Sequence, residues 1–283
     1  MKRTTPILVF IGFLLLVACG HFDNDLFDAI TKNDIASVDH LIRKGVDVNK
    51  KDAEGRTPLF LASFLGQKDI VHLLIVNGAH IDEKNKFGET PLSIVATKGY
   101  NDVAGILIEN KANVNAVNID SVTPLMYSAT YGFQEIVALL LKHKATVNAL
   151  SKEKLTPLVY ACLNNHIDIA QALIAHNADV NFNMQDNETI LMMLSTKGYA
   201  GLAKVLIEHG ALVNAKTTYQ TTALMAACRN RQTNVVKVLL ASNADPAIKD
   251  ENGETALEHA KRAQAVDIVK LLEEAPGKTG PGH

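Results

Sequence analysis

Tryptophan is absent from the 283-residue sequence, and aromatic residues of all kinds make up only 5% of it. There is thus little material for base-stacking platforms or aromatic cages. Charge of either sign hardly prevails: 28 Lys and Arg stand against 30 Asp and Glu, a formal net charge of −2. That balance removes the basic footprint of a dedicated nucleic-acid binder, and no nucleic-acid partner is expected. The three cysteines, Cys19, Cys162 and Cys228, are too few and too far apart for a disulfide framework or a CxxC-type zinc site. Eight prolines and 17 glycines exclude a collagenous or low-complexity chain. The sequence has no GxGxxG, P-loop, HExxH or GxSxG motif. What is there is 47% hydrophobic and 20% charged, a globular composition with ample chain for a core.

The chain starts Met1-Lys2-Arg3 and then runs apolar from Ile7 to Ala18. A basic start, a short apolar core and small residues at its end mark an export signal. The run is well short of the roughly 20 residues that a spanning helix needs. Its end, Leu16-Val17-Ala18-Cys19, resembles the lipobox of bacterial lipoproteins. The resemblance implies cleavage before Cys19 and its lipidation; an ordinary signal peptide with an incidental Cys19 is the alternative. Residues 1–18 are then a signal peptide and 19–22 a lipidated tether, which reaches at most ~14 Å. Gly20 stands where an aspartate would resemble an inner-membrane retention signal, so the expected location is the outer membrane, facing the periplasm. Loss of Lys2 and Arg3 lowers the basic count from 28 to 26 against 30 acids, a net charge near −4.

Internal repeats decide the fold. Thr57-Pro58-Leu59, Thr90-Pro91-Leu92, Thr123-Pro124-Leu125 and Thr156-Pro157-Leu158 recur every 33 residues. The phase continues as Thr189-Ile190-Leu191, Thr222-Ala223-Leu224 and Thr255-Ala256-Leu257, and one step back lands on Asn24-Asp25-Leu26. Thr before Pro reads as an N-cap followed by the first helical residue. Gly66, Gly99, Gly132 and Gly198 suit the left-handed ends of these first helices. A second helix follows, as in Ile70-Val71-x-Leu73-Leu74, whose spacing makes one buried stripe. Polar turns such as Asp52-Ala53-Glu54-Gly55 close each unit. Two short helices and a turn cannot bury that stripe alone, so neighbouring units must stack.

With that period and the Thr-Pro-Leu opening, the chain resembles the ankyrin-repeat family. The resemblance implies an all-α solenoid of about eight helix–turn–helix units with short β-turn fingers, over residues 23–275. Repeats fall near 24–56, 57–89, 90–122, 123–155, 156–188, 189–221, 222–254 and 255–275, with a flexible tail at 276–283. The family's histidine after Leu is here Phe60, Ser93, Met126, Val159, Met192, Met225 and Glu258. That departure predicts an apolar contact ladder in place of a hydrogen-bonded one. The polar first unit and the residues Glu258, His259, Lys261, Arg262 and Gln264 of the last read as caps that face water.

No metal, cofactor or catalytic group is expected. His143, His176 and His209 share one phase in successive repeats. Stacked helices lie about 8–10 Å apart, whereas zinc ligands lie about 2 Å from their ion. Cys162 and Cys228, in phase two repeats apart, read as buried and inert thiols. Glu109, Glu135, Asp168 and Glu208 read as solvated helix faces.

In ankyrin proteins partners usually meet the fingertips and the exposed side of the first helices. Carried over by phase, the partner-binding candidates are Arg56, Phe64, Phe87, Tyr131, Leu163, Tyr219 and Arg229. Aromatic and arginine anchors dominate protein interfaces. Fingertip acids such as Glu54, Glu89, Asp120, Glu153, Asp186, Glu188 and Glu254 suit a basic partner. The resemblance implies a non-catalytic protein-binding scaffold, a monomer when unbound, held at the membrane through Cys19. Ankyrin-repeat lipoproteins of this design are similar to immunity proteins that neutralise secreted antibacterial toxins, lipases among them. An accessory scaffold for an envelope or peroxide-defence enzyme is the alternative, and an enzyme or toxin-like effector the contrasting class.

Overall fold

The computed structural model describes residues 25–274, so Cys19, the signal segment and the tail lie outside the described residues. Eight helix pairs follow one another there. The first four are α1 Asp25–Thr31 with α2 Ile35–Arg43, α3 Pro58–Phe64 with α4 Lys68–Val76, α5 Pro91–Lys98 with α6 Asn101–Glu109, and α7 Pro124–Tyr131 with α8 Gln134–Lys142. The next four are α9 Pro157–Leu163 with α10 Ile167–Ala175, α11 Ile190–Lys197 with α12 Ala200–Glu208, α13 Ala223–Arg229 with α14 Thr233–Ala241, and α15 Ala256–Arg262 with α16 Val266–Glu274. The weak first copy thus forms a complete pair.

Each first helix starts where the sequence places it. The Thr57 hydroxyl oxygen accepts the Phe60 N–H at 3.2 Å, and Thr123, Thr156, Thr189 and Thr222 act in the same way. Pro58 at the first helical position lacks only an N–H that would have no partner in the helix. At the other end Gly99 adopts φ 79°, and a Cβ there would lie 2.5 Å from the Phe133 ring of the next repeat. Glycine is needed at this helix end both for its left-handed backbone and for the approach of the following repeat.

The units stack by matching rows. First helices pack on first helices and second helices on second helices. Leu59, Ile70, Leu74, Leu92, Leu107, Leu125, Ile136 and Leu140 are fully buried in one continuous core that runs the length of the stack. The residues that replace the family's histidine are buried too, from Phe60 to Met225, with Glu258 in the last repeat exposed. Met126, Met192 and Met225 each turn sulfur toward the N–H of the capping threonine at 3.4–3.5 Å. The expected apolar series is thus buried but broken by the polar Ser93, and its sulfur contacts lie within single repeats.

Two polar rails run beside it. Asn49 donates through Nδ2 to the Gly78 carbonyl at 3.0 Å and accepts the His80 N–H at 2.7 Å. Asn148, Asn181 and Asn214 make the same pair of bonds to the repeats that follow them. The second rail joins fingers through backbone: the carbonyls of Glu54, Phe87, Asp120, Asp186 and Tyr219 accept from Lys86, Ile119, Lys152, Thr218 and Glu251 at 2.9–3.2 Å. A rung from Gln185 to Glu153 is missing from this series among the described residues.

The sequence explains the gap. Every regular finger opens on a residue whose side-chain oxygen accepts the N–H four positions on. Asp52, Asn85, Asn118, Ser151, Thr217 and Asp250 do so at 2.9–3.3 Å. Met184 holds that position in the remaining finger and has no oxygen to offer. The chain there tightens into a 3-10 turn at Gln185–Asn187, with Asp186 at φ 59°. α9 also packs on α11 less extensively than any other pair of successive first helices.

Candidate functional site

The fingers and the first-helix row line one side of the stack, the second helices the other. First helices pack on one another more extensively than second helices do at every junction except that of α9 and α11.

On the finger side the predicted residues fare differently. Phe87 and Tyr219 stand at fingertips with 56% and 52% of their surfaces exposed. Tyr131, at the end of α7, is 39% exposed and stacks on Phe133 with ring centroids 6.2 Å apart. Burial of its ring, followed by the nearby Glu89 charge, pushes the Tyr131 phenol up. Arg229 is exposed at the end of α13. Arg56 is held in its own finger, Nε donating to Asp52 Oδ2 at 2.6 Å. Phe64 is half-buried beneath Lys98, whose Nζ lies 4.6 Å from the ring centroid. Leu163 is half-buried against the core.

Tyr219 and Arg229 are brought into one cavity, a groove of about 400 Å³ between three successive fingers. Asp186 and Glu188 form its near wall, Tyr219 and Arg229 its middle, and Glu251 and Asn252 its far wall. Burial, only partly offset by Arg229, pushes the Glu188 carboxyl above the usual carboxylate range. Sequence reasoning named Asp186 and Glu188 as part of a general acidic lean but missed Glu251. Their phases, one repeat either side of Tyr219, were the available signal.

The end of the groove is closed by side chains that hold one another. His259 Nε2 meets Asp250 Oδ2 at 2.9 Å, and Arg262 pairs with Glu254 Oε1. His259 is therefore not the water-facing cap residue expected from sequence; it is 6% exposed and lies under the last finger. Asp250, Glu254 and His259 do place ligand-type atoms within 4.8 Å of one another. Arg262 already sits on Glu254, however, and the Asp250–His259 contact spans the same nine residues as Asn118–Tyr127 and Ser151–Tyr160. The cluster is a finger clamp. Glu254 Oε2 is left buried without a hydrogen-bond partner.

The remaining sequence candidates sit apart from the groove. Each of His143, His176 and His209 caps the end of its own second helix, and His176 and His209 hydrogen-bond the carbonyls of Ala172 and Val205 through Nδ1. Cys162 and Cys228 are fully buried, and burial pushes both thiols up to about 12. Glu109, Glu135, Asp168 and Glu208 are exposed.

A family model described as "Ankyrin repeats (3 copies)" matches residues 26–118, 114–184 and 191–279. The chain belongs to the ankyrin-repeat family. The matched segments leave out 185–190, the stretch that begins with the irregular finger. Among solved structures the chain is similar to the ankyrin repeat domain of Bcl-3, described as a unique member of the IkappaB protein family. The two are 26% identical with a TM-score of 0.69, over 77% of this chain and 98% of the other. No curated protein matches the chain. As an ankyrin-repeat solenoid, the protein has the architecture of an interaction scaffold.

Proposed function

We propose that the protein is a non-catalytic, lipid-anchored scaffold at the periplasmic surface of a bacterial envelope, and that it acts as an immunity protein against a secreted antibacterial toxin of the lipase type. The observation that carries the scaffold reading is the set of large side chains exposed on the finger side, Phe87, Tyr131 and Tyr219, on a backbone fixed by two hydrogen-bonded rails. A preorganised surface of this kind binds without the ordering cost that a flexible one meets. The anchor reading rests on the Leu16-Val17-Ala18-Cys19 sequence. Among the described residues no helix is long and apolar enough to cross a membrane.

Affinity capture from envelope extract tests the scaffold, with the Phe87→Ala, Tyr131→Ala, Tyr219→Ala triple variant as its control. The expected loss on binding is about 2 kcal/mol or more, as for interface anchors generally. Failure of the wild-type chain to retain any specific partner would overturn the scaffold reading. A toxin gene beside this one supports immunity, whereas a catalase gene there favours the accessory role. Cys19→Ala is expected to release the protein from membranes; continued attachment would remove the lipid anchor.

A further inference from the structure

In most fingers the polar side chains are used by the fold itself. Arg56 is bound to Asp52, Asn85 donates to Glu89 at 2.8 Å, and Lys152 lies 3.6 Å from Asp120. The groove between the fingers at 185–188, 217–221 and 250–252 differs. The side chains of Asp186, Glu188, Tyr219, Arg229 and Glu251 line it, and none of them makes a side-chain hydrogen bond or an ion pair. Five polar groups without an internal role therefore share one cavity of about 400 Å³, which has room for a single long side chain and the backbone that carries it.

Their chemistry selects the occupant. Of the charged groups that line the groove, Asp250 is paired with His259 and Arg262 with Glu254; the three carboxylates and one guanidinium that remain favour a cation. Tyr219 supplies an exposed ring on which a planar cation can stack. A guanidinium also donates in a fork that fits two carboxylate oxygens at once, which an ammonium does not. Arg229, on the floor, is left to donate to a carbonyl or carboxylate of the incoming segment. The near wall suits an adjustable fit: the 184–188 finger is the one without a rung to its N-terminal neighbour.

We propose that this groove receives an arginine side chain from a loop of the protein partner, its guanidinium held by Asp186, Glu188 and Glu251 against the face of Tyr219. The assignment rests on the scaffold reading and adds to it which fingers bind and which residue they read.

The test is an amide NMR titration of the full chain with three acetylated, amidated tripeptides at millimolar concentration: Gly-Arg-Gly, Gly-Lys-Gly and Gly-Glu-Gly. The arginine peptide is expected to shift amides near Asp186, Glu188, Tyr219 and Arg229, the lysine peptide to bind several-fold more weakly, and the glutamate peptide not to bind. The Asp186→Asn, Glu188→Gln, Glu251→Gln variant is expected to lower affinity for the arginine peptide about tenfold, with the amides of Phe87 and Ile119 unmoved as a check on folding. The proposal is overturned if the glutamate peptide binds as well as the arginine peptide, if shifts fall elsewhere or are absent, or if the variant binds unchanged. Its failure is separable from that of the scaffold reading. A partner captured equally by wild type and by this variant removes the groove and keeps the scaffold. Arginine-peptide binding by a chain that captures no partner does the reverse.

Discussion

His259 Nε2 lies 2.9 Å from Asp250 Oδ2, with both side chains buried beneath the last finger. The pair repeats a contact made elsewhere by different chemistry: Asn118 Nδ2 donates to the Tyr127 hydroxyl at 2.9 Å, and the Tyr160 hydroxyl donates to Ser151 Oγ at 3.2 Å. In each case the first residue of a finger is joined to the fourth residue of the helix that follows. His259→Ala leaves Asp250 buried without this partner and is expected to cost about 1–3 kcal/mol. The Asp250→Asn, His259→Tyr double variant, which installs the Asn118–Tyr127 pair, should recover most of that loss. Urea unfolding, with hydrogen exchange in the last two repeats, measures both. An equally stable His259→Ala protein would dismiss the clamp.

Met184 occupies the one finger-opening position in the regular series that lacks a side-chain oxygen. Met184→Asn supplies the acceptor that Asn85 and Asn118 provide in their fingers. By analogy with helix caps, which use the same side-chain-to-backbone bond, the expected gain is about 1 kcal/mol. Slower exchange of the Asp186 and Glu188 amides should accompany it. Unchanged stability and exchange would show that the irregular turn has another cause.

Asn148 is a polar tie that spans the junction where the finger rung is missing. It accepts the Asp179 N–H at 3.0 Å and donates to the Asn177 carbonyl at 3.0 Å. In a solenoid, cooperativity passes only between neighbours, so weakening one junction divides the molecule. Asn148→Ala is expected to cost about 1 kcal/mol and to split urea unfolding into two transitions, one for the repeats before the junction and one for those after it. Asn49→Ala, at an end of the same rail, should leave a single transition. Coincident curves from probes in both halves of the Asn148 variant would contradict this.

The thiols of Cys162 and Cys228 are fully buried and pushed up to about 12 by burial. The thiolate is the reactive form, so neither thiol should react with a disulfide reagent at pH 8 in the folded protein. Both should react once the chain is unfolded. A fast phase in native protein with Cys19 replaced by serine would show that one of them is accessible.

The period made the helix starts legible, because Thr57 and its equivalents act within three residues of themselves and their caps depend on local spacing alone. Asn49, Asn148, Asn181 and Asn214 recur in one phase as well, but their bonds reach 29 and 31 residues ahead, which local spacing does not reveal. His259 was misread for a related reason. In a last repeat a charged residue is expected to face water, and only the nine-residue reach to Asp250 shows that this one does not. At the candidate site, phase alone found Phe87 and Tyr219 at fingertips, where exposure follows from position. It could not separate Arg229, whose side chain makes no ion pair, from Arg56, bound to Asp52, because that depends on neighbours in space.

The missing rung between Glu153 and Gln185 has a mechanical consequence. A stack with continuous rails shares bending among all its junctions, as a uniform spring does. With one rung gone, compliance gathers at a single joint, and the spring becomes two stiff arms. Phe87 lies on one arm and Tyr219 on the other, so a body gripped by both sets the angle between them.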